Sequence, residues 1–208
     1  MKKTLTVFAA LACCALAPAL AQAAGTKPVA KPAAKPAVPD EKAMQAAFEK
    51  MGAVGENHKL LDATVGDWDA SVKMWMAPGA PPMESSGTMS SKITMGGRYI
   101  VGSYVGSFQG QPFEGTVTLG YDNLTGKFWN TWIDSGSTGV SLMTGSYDKA
   151  TRAFTFRGSV PDPMAPATQV KVRQVVKITD DDHHTMEWHE ARAGKEAKTM
   201  EITYTRKK

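Results

Sequence analysis

The sequence predicts an all-β chain, about ten antiparallel strands in an up-and-down barrel under a short N-terminal helical cap. Three observations carry this reading. From Gly66 onward apolar and polar residues alternate with a period of two. Turn signals rich in Gly, Asn, Asp and Pro recur about every 10 to 15 residues. No segment between them is helical or long enough for a parallel crossover, and closing such a meander removes its exposed edges.

The chain of 208 residues opens with Met1-Lys2-Lys3, continues through an apolar, Ala-rich run from Leu5 to Leu20, and offers Ala21-Gln22-Ala23 as a small-x-small cleavage site. Residues 1–23 therefore read as a secretory signal peptide, and the protein is expected to be periplasmic or secreted. A cysteine in such a segment can attach a lipid. The residues before Cys13 and Cys14 fit that pattern poorly, and the apolar run continues past both to a better cleavage site. Cleavage after Ala23 removes both cysteines, the only two in the chain, and lowers the formal charge from +4 to +2. The expected product sits in an oxidising compartment with no disulfide, no thiol nucleophile and no thiolate ligand. No later segment reaches the roughly 18 apolar residues of a transmembrane helix.

Residues 24–39 repeat Pro every few positions and read as an extended linker that buries no core. Lys27, Lys31 and Lys35 alone exceed the charge left after cleavage, so the folded part is near neutral. Its composition gives no footprint for nucleic acid. Residues 40–64 read as the helical segment. Asp40 is placed to cap a helix over 41–51, in which Met44, Ala47, Phe48 and Met51 share one face. A further helical turn over 58–64 clusters Leu60 and Leu61 with Val65, and its simplest task is to cap the barrel.

The barrel, residues 65–208, is read as strands at about 66–76, 83–94, 98–108, 113–121, 127–134, 139–147, 152–160, 168–178, 184–192 and 196–206. Alternate connections fall at opposite ends. Met95-Gly96-Gly97, residues 122–126, 148–151 and 179–182 are compact turns at one end. Residues 77–82, 109–112, 135–138, 161–167 and 193–195 are richer in Pro and longer, and that end is taken as the open mouth.

Gly66-Asp67-Trp68 opening the first strand, with Arg206 near the end of the last, is similar to the lipocalin and calycin signature. That resemblance implies an indole lying across the closed end with an arginine packed over it, so Gly66, Trp68 and Arg206 are the expected closure residues. An even number of hairpin-linked strands returns Arg206 to the end where Trp68 begins.

A closer resemblance covers about residues 56–206. It rests on His58-Lys59-Leu60-Leu61, Val65-Gly66-Asp67-Trp68, Met74-Trp75-Met76-Ala77-Pro78-Gly79, Gly96-Gly97-Arg98, Phe113-Glu114-Gly115, Leu119-Gly120-Tyr121-Asp122, Thr131-Trp132-Ile133-Asp134-Ser135 and Pro161-Asp162-Pro163-Met164. These motifs resemble a family of secreted bacterial proteins known as the domain of unknown function numbered 1579. The resemblance implies a lipocalin-like barrel and supplies no reaction, cofactor or catalytic residue.

Trp68, Ala70, Val72, Met74 and Met76 share the inward face of the first strand, which puts Met74 and Met76 near the mouth. Flexible, polarizable methionines suit an irregular apolar ligand. The same pattern also suits a barrel packed solid with side chains. In the fifth strand Phe128, Asn130, Trp132 and Asp134 share one face, and Trp129, Thr131 and Ile133 the other. Alternation does not decide between them. The even face is taken as inward because it lines the mouth with an aromatic wall and one carboxylate. Ser137 and Asp162, from the mouth loops, complete the candidate ligand-binding set with Met74, Met76, Trp132 and Asp134.

Asp180-Asp181-Asp182-His183-His184, with Glu187, His189 and Glu190, resembles a metal site in composition. His183 and His189 lie six residues apart on one strand face, about 20 Å, too far for one ion. The acidic run reads as a solvated turn, with Asp181, Asp182 and His184 as the weaker metal alternative. Met74 and Met76 could furnish soft ligands for Cu(I), but that strand has no Cys or His. Haem needs an axial ligand inside the lumen, and His184, the one histidine on the inward parity of its strand, lies at the closed end. No cofactor and no metal are implied. Nucleophile elbows, zinc pairs and phosphate loops are absent, and no spacing brings Ser137, His58 and Asp134 together. The expected function is binding of a small, largely apolar ligand at the barrel mouth. The alternatives are a non-catalytic envelope or protein-interaction module and a hydrolase of a lipid-like substrate.

Overall fold

The computed structural model describes residues 40–77 and 79–208; residues 1–23 and 24–39, read above as a signal peptide and a linker, fall outside the described residues. Helix α1 (Glu41–Gly52) starts where the Asp40 carboxylate accepts from the Ala43 N–H at 2.7 Å. It buries none of its residues, and Met44, Phe48 and Met51 are exposed. Its C-terminal carbonyls, which no helical N–H can reach, take hydrogen bonds from the barrel: Asn123 Nδ2 donates to Lys50, Met51 and Ala53, and Arg98 donates to Gly52. The expected cap is made by α2 (Glu56–Lys59) and a 3₁₀ turn, Leu60–Thr64, which start earlier than the Leu60-Leu61 pattern suggested. His58 is buried there, its ring edge-on to Tyr121 at 5.5 Å, and its Nδ1 accepts from the Gly55 N–H.

Ten strands follow: β1 (Gly66–Met74), β2 (Met83–Thr94), β3 (Tyr99–Phe108), β4 (Gln111–Asp122), β5 (Lys127–Asp134), β6 (Ser141–Asp148), β7 (Ala153–Asp162), β8 (Ala165–Ile178), β9 (His183–Arg192) and β10 (Lys195–Arg206). Each pairs antiparallel with its sequence neighbours, and β1 pairs with β10 from Trp68↔Arg206 to Met74↔Met200, closing the barrel. The β1 alternation is as expected: Trp68, Ala70 and Val72 are buried while Asp67, Asp69, Ser71 and Lys73 face water. In β5 the Phe128 and Asn130 face turns inward.

Two expectations about the open end need correction. The first strand stops at Met74, because the Ala77–Pro82 segment supplies too few N–H groups to continue two ladders, and Met76 is left 66% exposed. Three of the connections expected as loops are two-residue turns: Gln109-Gly110, Pro163-Met164 and Ala193-Gly194. Gln109 (φ 51°) and Gly110 (φ 76°), like Ala193 (49°) and Gly194 (76°), take the left-handed pair that matches hairpin twist. Pro112 and Pro161 extend strands at their ends, where a missing N–H is tolerated. The mouth is therefore framed by two longer segments, residues 75–82 and 135–140.

The closed half is packed. Leu61 from the 3₁₀ turn joins Ile100, Phe128, Phe154, Phe156 and Ile178, with Phe128 edge-on to Phe154 at 5.1 Å. This packing requires close backbone approach at Gly145, where an added Cβ would lie 2.1 Å from the Thr155 carbonyl oxygen. Gly145→Ala is expected to cost about 2 kcal/mol in urea unfolding by forcing β6 from β7; a loss below about 0.5 kcal/mol would show that the strands yield freely.

Candidate functional site: the barrel cavity

Above the packed half the barrel encloses a cavity of about 1200 Å³, whose lining at the mouth includes Gln109, Gly110, Ser137, Thr138 and Pro163. Strand alternation builds its wall. Met74, Met89, Met186 and Met200 line it from β1, β2, β9 and β10, with Val176 beside Met186 on β8 and Trp132 on β5 across the ring. The volume exceeds the roughly 300–1,000 Å³ usual for drug-sized ligands.

Of the residues chosen from sequence, Met74, Trp132, Asp134, Ser137 and Asp162 line this cavity and Met76 does not. Trp132 packs so closely on Gly115 that a Cβ there would sit 2.2 Å from its ring. Its indole N–H donates to Asp134 Oδ2 at 2.7 Å, and Asp134 Oδ1 accepts from the Gly136 N–H at 2.9 Å. Both oxygens of Asp134 thus already accept hydrogen bonds that orient the indole and the turn. Asp162 is similarly engaged: the Met164 N–H, followed by Arg192, holds its carboxyl below the usual range. Ser137 stands at the mouth.

The closure residues meet at the other end. Arg206 lies over the Trp68 ring at 4.0 Å and donates to the Val65 and Asp181 carbonyls, while the Trp68 indole N–H donates to Thr64. Gly66 has φ 129°, and a Cβ would lie 2.3 Å from Arg206 Nη1.

The deepest polar groups are ones that sequence reasoning did not select. Asn130 Nδ2 donates to Gln174 Oε1 at 2.6 Å. Because β5 and β8 are separated by β6 and β7, that bond crosses the lumen. His184 stacks on Tyr204 and meets Trp68 edge-on, each at 4.4 Å. Burial, with Arg206 adding to it, pushes the His184 imidazole down to about 4, so it is neutral near pH 7. Burial also pushes the Tyr204 phenol up, with Tyr104 adding to it. Asn130 Oδ1 and His184 Nδ1 are buried without a protein partner. The available signal was one polar residue, Asn130, between Phe128 and Trp132 on an inward face.

The histidines diverge. His183 pairs with Asp180 at 2.8 Å, His189 with Glu187 at 3.0 Å, and His184 points inward. Among the described residues no three His, Cys, Asp or Glu side chains are grouped to hold a metal. Met74 lines the cavity and Met76 lies outside it, which separates the proposed copper pair. His58 sits in the closed-end cap, whereas Ser137 and Asp134 sit at the mouth, so that triad does not assemble.

The family described as "Protein of unknown function (DUF1579)" matches residues 53–206, most of the chain. The protein belongs to DUF1579. No curated protein matches the sequence. Among solved structures, Rv2717c from M. tuberculosis is similar with a TM-score of 0.55 at 14% identity, covering 75% of this DUF1579 chain and 100% of its own. The S-type phycobiliprotein lyase CPES from Guillardia theta is similar with a TM-score of 0.51 at 14% identity, covering 77% and 98%. At such identity the likeness is one of fold. DUF1579 thus has, in this member, a closed ten-stranded lipocalin-like barrel.

Proposed function

We propose that the protein is periplasmic or secreted and binds a small, largely apolar ligand inside its barrel. The cavity of about 1200 Å³, open at one end and walled by six methionines and Trp132, is the observation that carries this reading. A packed barrel would have offered no such volume. The ligand site reaches from the mouth to a buried floor, deeper than the mouth site expected from Met74 and Met76. Lys2-Lys3, the apolar run and Ala21-Gln22-Ala23 support export.

Protein isolated from its own host and analysed by native mass spectrometry is expected to carry a co-purifying organic molecule, released by solvent extraction. The intact mass is expected to begin after Ala23, in a periplasmic or extracellular fraction. Cytosolic protein retaining residues 1–23 would overturn the location. Failure of both native protein and added apolar dyes to show binding would overturn the ligand reading.

A further inference from the structure

The ligand reading leaves open which chemistry the cavity selects, and its polar groups narrow the choice. Glu84, Asp134 and Asp162 line it, and no Lys or Arg does among the described residues. An anionic head group would find no cationic partner on the wall and three carboxylates near the mouth. Burying an unpaired anion is far costlier than burying a neutral polar group. At the floor, Asn130 is 2% exposed and His184 5% exposed, and each has one side-chain atom without a partner. The lumen-crossing bond to Gln174 occupies the Asn130 amide nitrogen and leaves its carbonyl oxygen as a pure acceptor. A buried acceptor left unpaired is unfavourable, so a ligand that donates to it gains from the pairing.

Resting on the ligand reading above, we propose that Asn130, supported by Gln174, forms a head-group subsite for the uncharged, hydrogen-bond-donating end of an otherwise apolar molecule, such as a long-chain alcohol or primary amide. The polar end enters first and the hydrocarbon lies along Met89, Met186, Met200 and Trp132. His184 offers the second unpartnered atom of the floor, and its neutral state keeps that end of the cavity free of positive charge.

The test is displacement of bound aminoanthracene from the full folded chain by dodecanol, dodecanamide, dodecyl methyl ether, dodecanoate and dodecylamine at neutral pH. The alcohol and the amide are expected to bind about tenfold tighter than the ether, which has the chain but no donor. The carboxylate is expected to bind weakest. In Asn130→Leu the preference for alcohol over ether is expected to shrink to about twofold while the ether binds as before. Should Asn130→Leu fail to fold, Asn130→Ala, which likewise removes the acceptor, carries the same test. If all five compounds compete equally, or dodecanoate or dodecylamine binds tightest, or the preference survives in the Asn130 variant, the subsite is overturned and the apolar cavity stands. If neither the dye nor any compound binds, the ligand reading falls instead.

Discussion

Trp68→Ala is expected to lower the unfolding free energy by about 4 kcal/mol, a large share of the roughly 5–15 kcal/mol of an ordinary domain. The indole is 0% exposed, and its loss leaves a void that the closed ring of strands cannot collapse into. The substitution also orphans the Thr64 carbonyl and uncovers the Arg206 guanidinium, which lies 4.0 Å from the ring centroid. Arg206→Met is expected to cost less, because the arginine is partly exposed, although it also ties the Val65 and Asp181 carbonyls. A double-mutant cycle in urea is expected to return a coupling between Trp68 and Arg206 above about 0.5 kcal/mol. Additive losses, or a Trp68→Ala cost below about 2 kcal/mol, would mean that the pair does not seal the barrel.

Acid is expected to weaken the protein through His184 by about 3 kcal/mol between pH 7 and pH 4. The ordinary imidazole value is 6.5 and the folded value is pushed down to about 4 by burial and by Arg206. Between these values the unfolded chain binds the proton and the folded chain does not. Stability therefore falls as pH falls from 6.5 towards 4, and none of this loss applies above 6.5. The faces around the ring are Tyr204, whose phenol stays protonated, and Trp68, so no carboxylate stands in contact to rescue the cation. His184→Phe, which keeps the stacking shape, is expected to flatten the wild-type slope by about that amount. Parallel slopes for wild type and variant in denaturant titrations across this range would show that His184 protonates freely in the folded state.

Much of the barrel was legible because strand sterics act residue by residue. Side chains alternate across a strand wherever it lies, so the inward positions of β1 followed from the pattern of Trp68, Ala70 and Val72. The closure pair was legible through the resemblance to the lipocalin and calycin signature, and an even number of strands, which returns the chain to its starting end, agrees with it. The loops were less so. Proline was read as a loop former at Pro112 and Pro161, yet both sit in strand ends where their missing N–H costs no ladder bond. Met76 was placed in a strand that ends at Met74.

The site divided along the same line. Met74, Trp132, Asp134, Ser137 and Asp162 reach the cavity because parity and hairpin polarity point them there. Asp134 was chosen as a ligand group, yet both of its oxygens serve Trp132 and Gly136. Asn130 and Gln174 lie 44 positions apart on strands that are not neighbours, and no local pattern links them.

By itself, then, the sequence determined the strand number and the inward face of β1, since alternation and hairpin connectivity are local rules that survive without coordinates, while the Trp68–Arg206 closure came from the resemblance to the lipocalin and calycin signature. Only the tertiary structure decided that the lumen is hollow and that its floor is polar. Hollowness is a difference between the volume a closed ring encloses and the side-chain volume put into it. The Asn130–Gln174 bond exists because closure brings the two inward faces across that ring to hydrogen-bonding distance.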